Sequence, residues 1–163
     1  MEEQKIIGLD LSLTCTGYCL LDANNFTTGR IKTKLKDIDR LIYIVDNIRE
    51  IIYAPPTHHT LAVIEGYSYA SNSNTAYQIG ELGGAIRVLL FQNNIDFIII
   101  APKSLKKFAT GNGNAKKNDM LNAFMNKHGH IKDHNEVDAY FLAKFGEEYL
   151  NKFRRKTNDL GTD

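Results

Sequence analysis

Two acidic residues follow apolar runs at the points where strands are expected to end. Asp10 comes after 6–9, Ile-Ile-Gly-Leu, and Glu65 comes after 61–64, Leu-Ala-Val-Ile. A central strand normally reads as a continuous apolar run, and a carboxylate at its end is costly unless it is paired, hydrogen-bonded or bound to a metal. Asp10 and Glu65 therefore predict a cation near the open end of a sheet.

A third carboxylate, Asp138, lies in the first turns of the last helix that the sequence predicts, which starts near Asn135. Three acids brought together repel one another and raise their pKa values unless divalent cations neutralise them. Mg²⁺ binds a few carboxylates together with waters and substrate phosphates, so such a cluster suits phosphodiester hydrolysis with two metal ions. The alternative is that each acid is separately solvated or caps a helix.

Basic residues gather on both sides of the loop 110–114, which contains two glycines. They are Lys103, Lys106, Lys107, Lys116 and Lys117. Ammonium groups around exposed backbone N–H groups suit a phosphate, although a lysine cluster can also be a solvated helix face.

Composition limits the classes of function. The chain has 163 residues, with 20 basic and 19 acidic side chains and a net charge of +1, so any nucleic-acid footprint depends on where the lysines lie. Cys15 and Cys19 lack metal-site spacing and indicate two reduced thiols. Neither a membrane span nor a signal peptide is evident, and we expect a cytoplasmic protein with one domain over 1–153 and a polar, disordered tail over 154–163.

The pattern of predicted elements is βββαβαβ followed by helices. Three strands ending near Thr33 form a meander, and a helix with its apolar face at Ile38, Leu41, Ile42, Val45, Ile48 and Ile52 crosses to the strand that ends at Glu65. Helices are then expected over 74–92, 102–108, 116–127 and from about 135, with a strand over 97–101. This pattern predicts an α/β domain with a five-stranded mixed sheet, three antiparallel strands then two parallel ones, and helices on both faces.

These motifs resemble, in order, those of RuvC-type Holliday junction resolvases. The matching segments are 8–12 with 16–18, then 63–65, then Lys106 with 110–115 and Lys117, and finally 137–139. The ordered set runs from about Ile6 to Ala143 and is more specific than any single motif. The size of the chain and its departures from the family pattern are most like the members carried by bacteriophages.

The resemblance implies an RNase H-like fold, a homodimer and Mg²⁺- or Mn²⁺-dependent nicking of Holliday junctions and other branched DNA, in the host cytoplasm if a phage encodes the chain. By position, Asp10, Glu65 and Asp138 are the metal-binding carboxylates of a two-ion site. Lys106 and Lys117 are expected to face the scissile-strand phosphates. The DNA-binding residues expected besides these are Tyr67, Tyr69, Lys103, Lys107 and Lys116.

One departure concerns the metal site. The family places a fourth ligand, Asp or His, three residues before the last Asp, and this chain has Asn135 there. An amide oxygen can coordinate a hard cation but contributes no charge. Asn135 is the expected ligand, with Asp133, His134 or Glu136 as alternatives.

Another departure concerns DNA contacts. Bacterial members place an aromatic residue three positions after the second acid, where this chain has Ser68 between Tyr67 and Tyr69. Either tyrosine can stack on an unpaired base, or can serve ordinary packing.

Two other functions stay open from the sequence. The segment 8–12 followed by Thr16-Gly17 also resembles the first phosphate loop of sugar kinases and actin-like ATPases, which need two such domains around a nucleotide. The second is a branched-DNA-binding module of the same fold that has lost catalytic activity, because Asn135 stands where the family has an Asp or His ligand.

The dimer interface is expected on the helix 74–92. Its close-packing apolar face combines glycines with larger side chains, namely Gly80, Gly83 and Gly84 beside Ile79, Ile86 and Leu90. The alternative is that this face only covers the sheet.

Overall fold

Five strands and five helices make up the described part of the chain. The computed structural model describes residues 4–23, 25–53, 59–66, 73–130 and 132–159. Its strands are β1 (Gln4–Asp10), β2 (Cys15–Asp22), β3 (Asn25–Lys32), β4 (His59–Glu65) and β5 (Asp96–Ile100). Its helices are α1 (Asp37–Tyr53), α2 (Ser73–Gln92), α3 (Pro102–Thr110), α4 (Lys117–His128) and α5 (His134–Asp159).

The strands form one mixed sheet in the order β3-β2-β1-β4-β5. β1 pairs antiparallel with β2, and β2 with β3, whereas β4 runs parallel to both β1 and β5. The predicted mixed sheet of three antiparallel and two parallel strands is therefore confirmed.

Helices cover both faces of the sheet. On one face Val63 packs with Tyr140 and Phe124, from α5 and α4. On the other face Leu9 packs with Ile48 of α1 and Ile86 of α2. Because apolar side chains alternate along β1 and β4, each strand supplies both cores.

The apolar face predicted for α1 is partly wrong. Ile44, Ile48 and Ile52 are buried, whereas Ile38 and Ile42 are 61% and 51% exposed. Positions 44, 48 and 52 follow an i, i+4 spacing, so this row faces the sheet and the other isoleucines lie beside it.

Two glycines let α5 lie directly on the backbone of the sheet. A Cβ added to Gly8 of β1 would overlap the carbonyl oxygen of Ala139, and one added to Gly17 of β2 would overlap that of Asn135. Any side chain at these positions would lift the start of α5 away from the strands. The sequence therefore fixes the helix that carries Asp138 against the strand that carries Asp10.

The last helix continues to Asp159, beyond the domain boundary expected at residue 153. Disorder of the segment 154–163 stays a prediction. Within the described residues, no helix combines the length and apolar character that crossing a membrane requires.

Candidate active site

The register of the sheet brings Asp10 and Glu65 together. Leu9 pairs with Ile64 in the parallel ladder, so the next residues of β1 and β4 end side by side at one edge of the sheet. Asp10 points to the same face of β1 as Gly8, because side chains alternate along a strand, and that face carries α5. Asp138 lies on α5, one residue before the Ala139 carbonyl that approaches Gly8. The three acids therefore converge, as predicted.

The pKa values of the three acids are raised, in part because the acids lie close to one another. Burial, reinforced by the charges of Asp138 and Glu65, raises the pKa of Asp10 to about 8. Burial and the charge of Asp138 raise the pKa of Glu65 to about 7, and burial raises the pKa of Asp138 to about 6. Within the described residues no donor forms a hydrogen bond or an ion pair with any of the three carboxylates. The three carboxylates therefore have no directly bonded cationic partner among the described residues.

A cleft of about 270 Å³ opens beside the acids. Its walls come from β4, α3, α4 and α5 and comprise Glu65, Pro102, Lys106, Lys117, Met120, His134 and Asp138. The charges of both lysines lower the pKa of Asp138, opposing its burial. Two lysines and two carboxylates thus line one cavity, and the predicted role of Lys106 and Lys117 at the scissile phosphate stays a prediction.

The other lysines lie on the exposed surface next to this cleft. Lys103 and Lys107 are exposed on α3, and Lys116 is exposed at the start of α4. Their roles as DNA-binding residues stay predictions.

The glycine loop between α3 and α4 uses three of its backbone N–H groups within the turn, and phosphate binding by the loop stays a prediction. Gly111 has a φ of 81° and donates its N–H to the Lys107 carbonyl, ending α3. The N–H of Asn112 donates to Thr110 Oγ1, and that of Asn114 donates to Asn112 Oδ1. These N–H groups shape the turn that joins the two lysine-bearing helices and are not free for a phosphate.

The first turn of α5 is tied to β2 and β3. Arg30 Nη1 donates to Asp133 Oδ2 at 2.7 Å, and Thr28 Oγ1 donates to Glu136 Oε1 at 2.8 Å. Asn135 Nδ2 donates to Asp133 Oδ1 at 2.9 Å and to Cys15 Sγ at 3.2 Å. The expected fourth ligand Asn135 and two of its alternatives are thus held by protein partners, and their metal roles stay untested.

His134 is the alternative ligand that lies in the cleft. It stands four residues before Asp138, so the two side chains lie on one face of α5. That spacing was available from the sequence, although family position favoured Asn135. Tyr67 and Tyr69 lie outside the described residues.

The chemistry of the donors fits a divalent cation. Among the described residues no group of three His, Cys, Asp or Glu side chains is arranged as a ready-made metal site. The three carboxylates are nonetheless hard oxygen donors without protein partners, and each has a raised pKa that a cation would lower. Bound cations would supply the charge that the cluster lacks.

A mixed sheet with carboxylates at the ends of its first and fourth strands and on its closing helix defines an RNase H-like nuclease. The family of crossover junction endodeoxyribonuclease RuvC matches residues 6–143. The chain belongs to this family of Holliday junction endonucleases, whose members act as dimers and depend on divalent metal ions.

Individual relatives agree with this assignment. RuvC of Rickettsia typhi is 33% identical over 153 residues, covering 85% of this chain and 93% of the relative. RuvC of Brachyspira hyodysenteriae is 33% identical over 124 residues, covering 71% and 75%. The narrower prediction, a greater likeness to bacteriophage-encoded members, stays a prediction.

Solved structures share the fold at lower sequence identity. Thermus thermophilus RuvC superposes with a TM-score of 0.68 at 18% identity, covering 85% of this chain and 90% of that one. The fowlpox virus resolvase in complex with Holliday junction DNA gives a TM-score of 0.51 at 13% identity, covering 90% and 98%. The predicted RNase H-like fold is confirmed, and the family assignment favours a nuclease over a sugar kinase or actin-like ATPase.

Proposed function

We propose that Asp10, Glu65 and Asp138 hold two Mg²⁺ or Mn²⁺ ions with which this chain nicks Holliday junctions and other branched DNA. One observation carries the proposal: three carboxylates from three separate elements converge without protein partners beside a cleft that contains two lysines. A purely structural cluster of this kind would destabilise the fold. The cluster is explained if its positive charge comes from bound divalent cations.

The chain's own residues position and neutralise the scissile phosphate. Cations held by the three acids would supply an activated water and stabilise the leaving oxygen. Lys106 and Lys117 lie across the cleft from Glu65 and Asp138, where their ammonium groups stabilise charge that develops on the phosphate. The half-buried setting of the acids excludes bulk water and strengthens these interactions.

Exposed lysines outside the cleft extend the DNA surface. Lys103, Lys107 and Lys116 lie on the two helices that carry the lysines of the cleft. Because they face solvent, they suit contacts to phosphates along a duplex arm, and such contacts weaken steeply with salt. We assign this surface to binding, and the cleft to chemistry, in the cytoplasm during recombination and repair.

The homodimer interface is assigned to the outer face of α2. Ile86 and Leu90 of the face expected from the sequence are fully buried and pack on the sheet, so a second subunit cannot reach them. Gly80 and Gly84, also expected at the interface, lie on the outer face instead. The opposite face presents a stripe at intervals of three and four residues. The outer stripe comprises Tyr77, Gly80, Gly84, Val88 and Phe91.

The outer stripe suits contact with a second helix. Tyr77, Val88 and Phe91 are 58%, 56% and 78% exposed, and nothing lies within 4 Å of a Cβ added to Gly80 or Gly84. Large apolar side chains next to open glycines allow two helices to approach closely. A two-fold axis through this stripe would give two sites for two symmetric cuts in a four-way junction.

Cleavage of a synthetic four-way junction tests the proposal. We expect paired nicks with Mg²⁺ or Mn²⁺, no nicks with chelator, and at least a hundredfold slower nicking by Asp138→Asn. Junction binding by this variant should be retained or tighter, because a negative charge near the phosphate is removed. Tight binding without nicking by the wild-type protein would instead support the non-catalytic branched-DNA module.

A further inference from the structure

We propose that the His134 imidazole is the fourth ligand of the cation site and shifts its preference from Mg²⁺ toward Mn²⁺. This inference rests on the proposed function of the three carboxylates. The family pattern places this ligand at Asn135. We assign it instead to the preceding residue, His134, which lies one helical turn before Asp138.

Placement in the cleft is the first argument for His134. His134 lines the cavity together with Glu65, Asp138 and the two lysines. Of the charged groups that lower the pKa of Asp138, His134 acts most strongly, ahead of Lys117 and Lys106. His134 and Asp138 thus lie on one face of α5 and line the same cavity.

The competing side chains are occupied, which is the second argument. Asp133 Oδ1 accepts the backbone N–H of Asn135 at 3.0 Å, while its Oδ2 accepts from Arg30. Glu136 Oε1 accepts from Thr28, and Glu136 Oε2 lies 3.5 Å from Arg30 Nε. Moving either carboxylate onto a cation would break the contacts that attach α5 to β3.

Asn135 is restrained in the same way. Its amide donates to Asp133 and to Cys15 Sγ, on the β2 side of the helix. Its backbone carbonyl lies against Gly17, which fixes the residue in place. Asn135 does not line the cleft, and turning its amide so that Oδ1 reaches into the cleft would break the two bonds that Nδ2 donates.

The ring of His134 is free of such bonds. Within the described residues it makes no hydrogen bond, and its Nδ1 lies 3.9 Å from Asp133 Oδ1, beyond hydrogen-bond length. A carboxylate on the Nδ1 side favours the tautomer that leaves Nε2 as the electron-pair donor. His134 thus lines the cleft with no hydrogen bond that coordination of a cation would have to break.

A nitrogen ligand has a consequence for metal choice. Mg²⁺ takes oxygen donors almost exclusively, whereas transition-metal ions accept imidazole readily. Three carboxylates and an imidazole therefore favour Mn²⁺ over Mg²⁺, and an all-oxygen version of the site should lose that preference.

The test uses full-length protein and Mn²⁺ alone, without DNA. Pulsed electron paramagnetic resonance detects a nitrogen nucleus bound directly to Mn²⁺, and calorimetry gives the affinity. We expect the nitrogen signal in the wild-type protein and its loss in His134→Ala, with affinity at least about tenfold lower, since losing even the partner that orients a ligand costs about that much. His130→Ala, which removes an exposed histidine outside the cleft, is the matched control and should keep both signal and affinity.

His134→Asp serves as the second variant. It should bind Mn²⁺ without a nitrogen signal and should bind Mg²⁺ at least as tightly as the wild-type protein, because all its ligands are oxygens. Persistence of the nitrogen signal in His134→Ala, or its absence from wild-type protein that binds Mn²⁺, would overturn the inference alone. Binding of Mn²⁺ that Asp10→Asn and Asp138→Asn leave unchanged would overturn the proposed function as well.

Discussion

Arg30 of β3 and Asp133 at the start of α5 form an ion pair with an N–O distance of 2.7 Å. Arg30 Nε also lies 3.5 Å from Glu136 Oε2, so one guanidinium spans two acids of the same helical turn. Asp133 in turn accepts the N–H of Asn135 and so caps the helix. The contact therefore connects the edge strand, two strands away from Asp10 in the sheet, to the helix that positions His134 and Asp138.

Replacing Arg30 by Ala should reduce catalysis more than stability. Partly exposed ion pairs contribute about 1 kcal/mol or less to the free energy of unfolding, whereas a small displacement of catalytic groups can cost on the order of 100-fold in rate. We expect single-turnover nicking at least tenfold slower with little change in melting temperature. Arg49→Ala, which breaks the ion pair with Asp46 on α1, is the control and should nick normally.

Equal effects of Arg30→Ala and Arg49→Ala on the nicking rate would contradict this role. A large fall in melting temperature for Arg30→Ala would make the contact structural instead.

The metal-free protein should lose stability as the pH rises. The pKa of Asp10 is about 8 in the folded chain and 3.8 ordinarily, so the folded state binds this proton more tightly than the unfolded state. The contribution of Asp10 to stability is thus complete below about pH 4 and is lost as the pH rises toward 8. Denaturant unfolding in the presence of chelator should show that the free energy of unfolding of the wild-type protein decreases, relative to that of Asp10→Asn, by a few kcal/mol across this range.

Adding Mg²⁺ or Mn²⁺ at pH 8 should restore the stability that the wild-type protein has lost relative to Asp10→Asn, because the cations bind the deprotonated acids. The control is Asp96→Asn, an exposed acid at the start of β5. Parallel stability profiles for wild type and Asp10→Asn would show that Asp10 titrates as an isolated carboxylate.

Lysines inside and outside the cleft should separate rate from affinity. Lys106→Ala and Lys117→Ala remove charge next to the scissile phosphate and should slow single-turnover nicking on the order of 100-fold, with a smaller loss of junction affinity. Lys103→Ala and Lys107→Ala, on the exposed side of α3, should weaken binding and its salt dependence while leaving the rate at saturation near normal. A common pattern for all four variants would assign them all to general phosphate contacts.

A charge on the outer stripe of α2 should separate the subunits. Phe91 is 78% exposed, and Phe91→Asp would place an ion in a contact between apolar side chains. We expect light scattering to report a monomer at concentrations where the wild-type protein is a dimer, and junction affinity to fall toward that for linear duplex. Met125→Asp, on an exposed apolar residue of α4, should remain dimeric. An unchanged mass for Phe91→Asp would place the interface elsewhere.

The sequence predicts the parts of this fold that local patterns encode. Strand order follows from the meander and the crossover, and the convergence of Asp10 and Glu65 follows because both end parallel strands in matching register. The exposure of Ile38 could not be predicted from the sequence, because α1 has more apolar residues than the row of positions that faces the sheet.

The candidate site, like the fold, is predictable only where local sequence patterns encode it. Asp10 and Glu65 share a signal, a carboxylate at the end of an apolar strand, and Asp138 lies between apolar residues near the start of the last helix. His134 has no signal beyond its spacing from Asp138. Partners from β2 and β3 occupy Asn135, Asp133 and Glu136, and those contacts join residues more than 100 positions apart. No local pattern reveals which of four adjacent polar side chains remains free.

The contact of α5 with Gly8 and Gly17 also sets when, during translation, the chain becomes a nuclease. Asp10 and Glu65 emerge from the ribosome well before Asp138, because they lie on β1 and β4. Asp138 joins them only after the last helix has been synthesised and laid across the strands. A polypeptide arrested before that point carries two of the three carboxylates and therefore lacks the complete metal site proposed for cleavage.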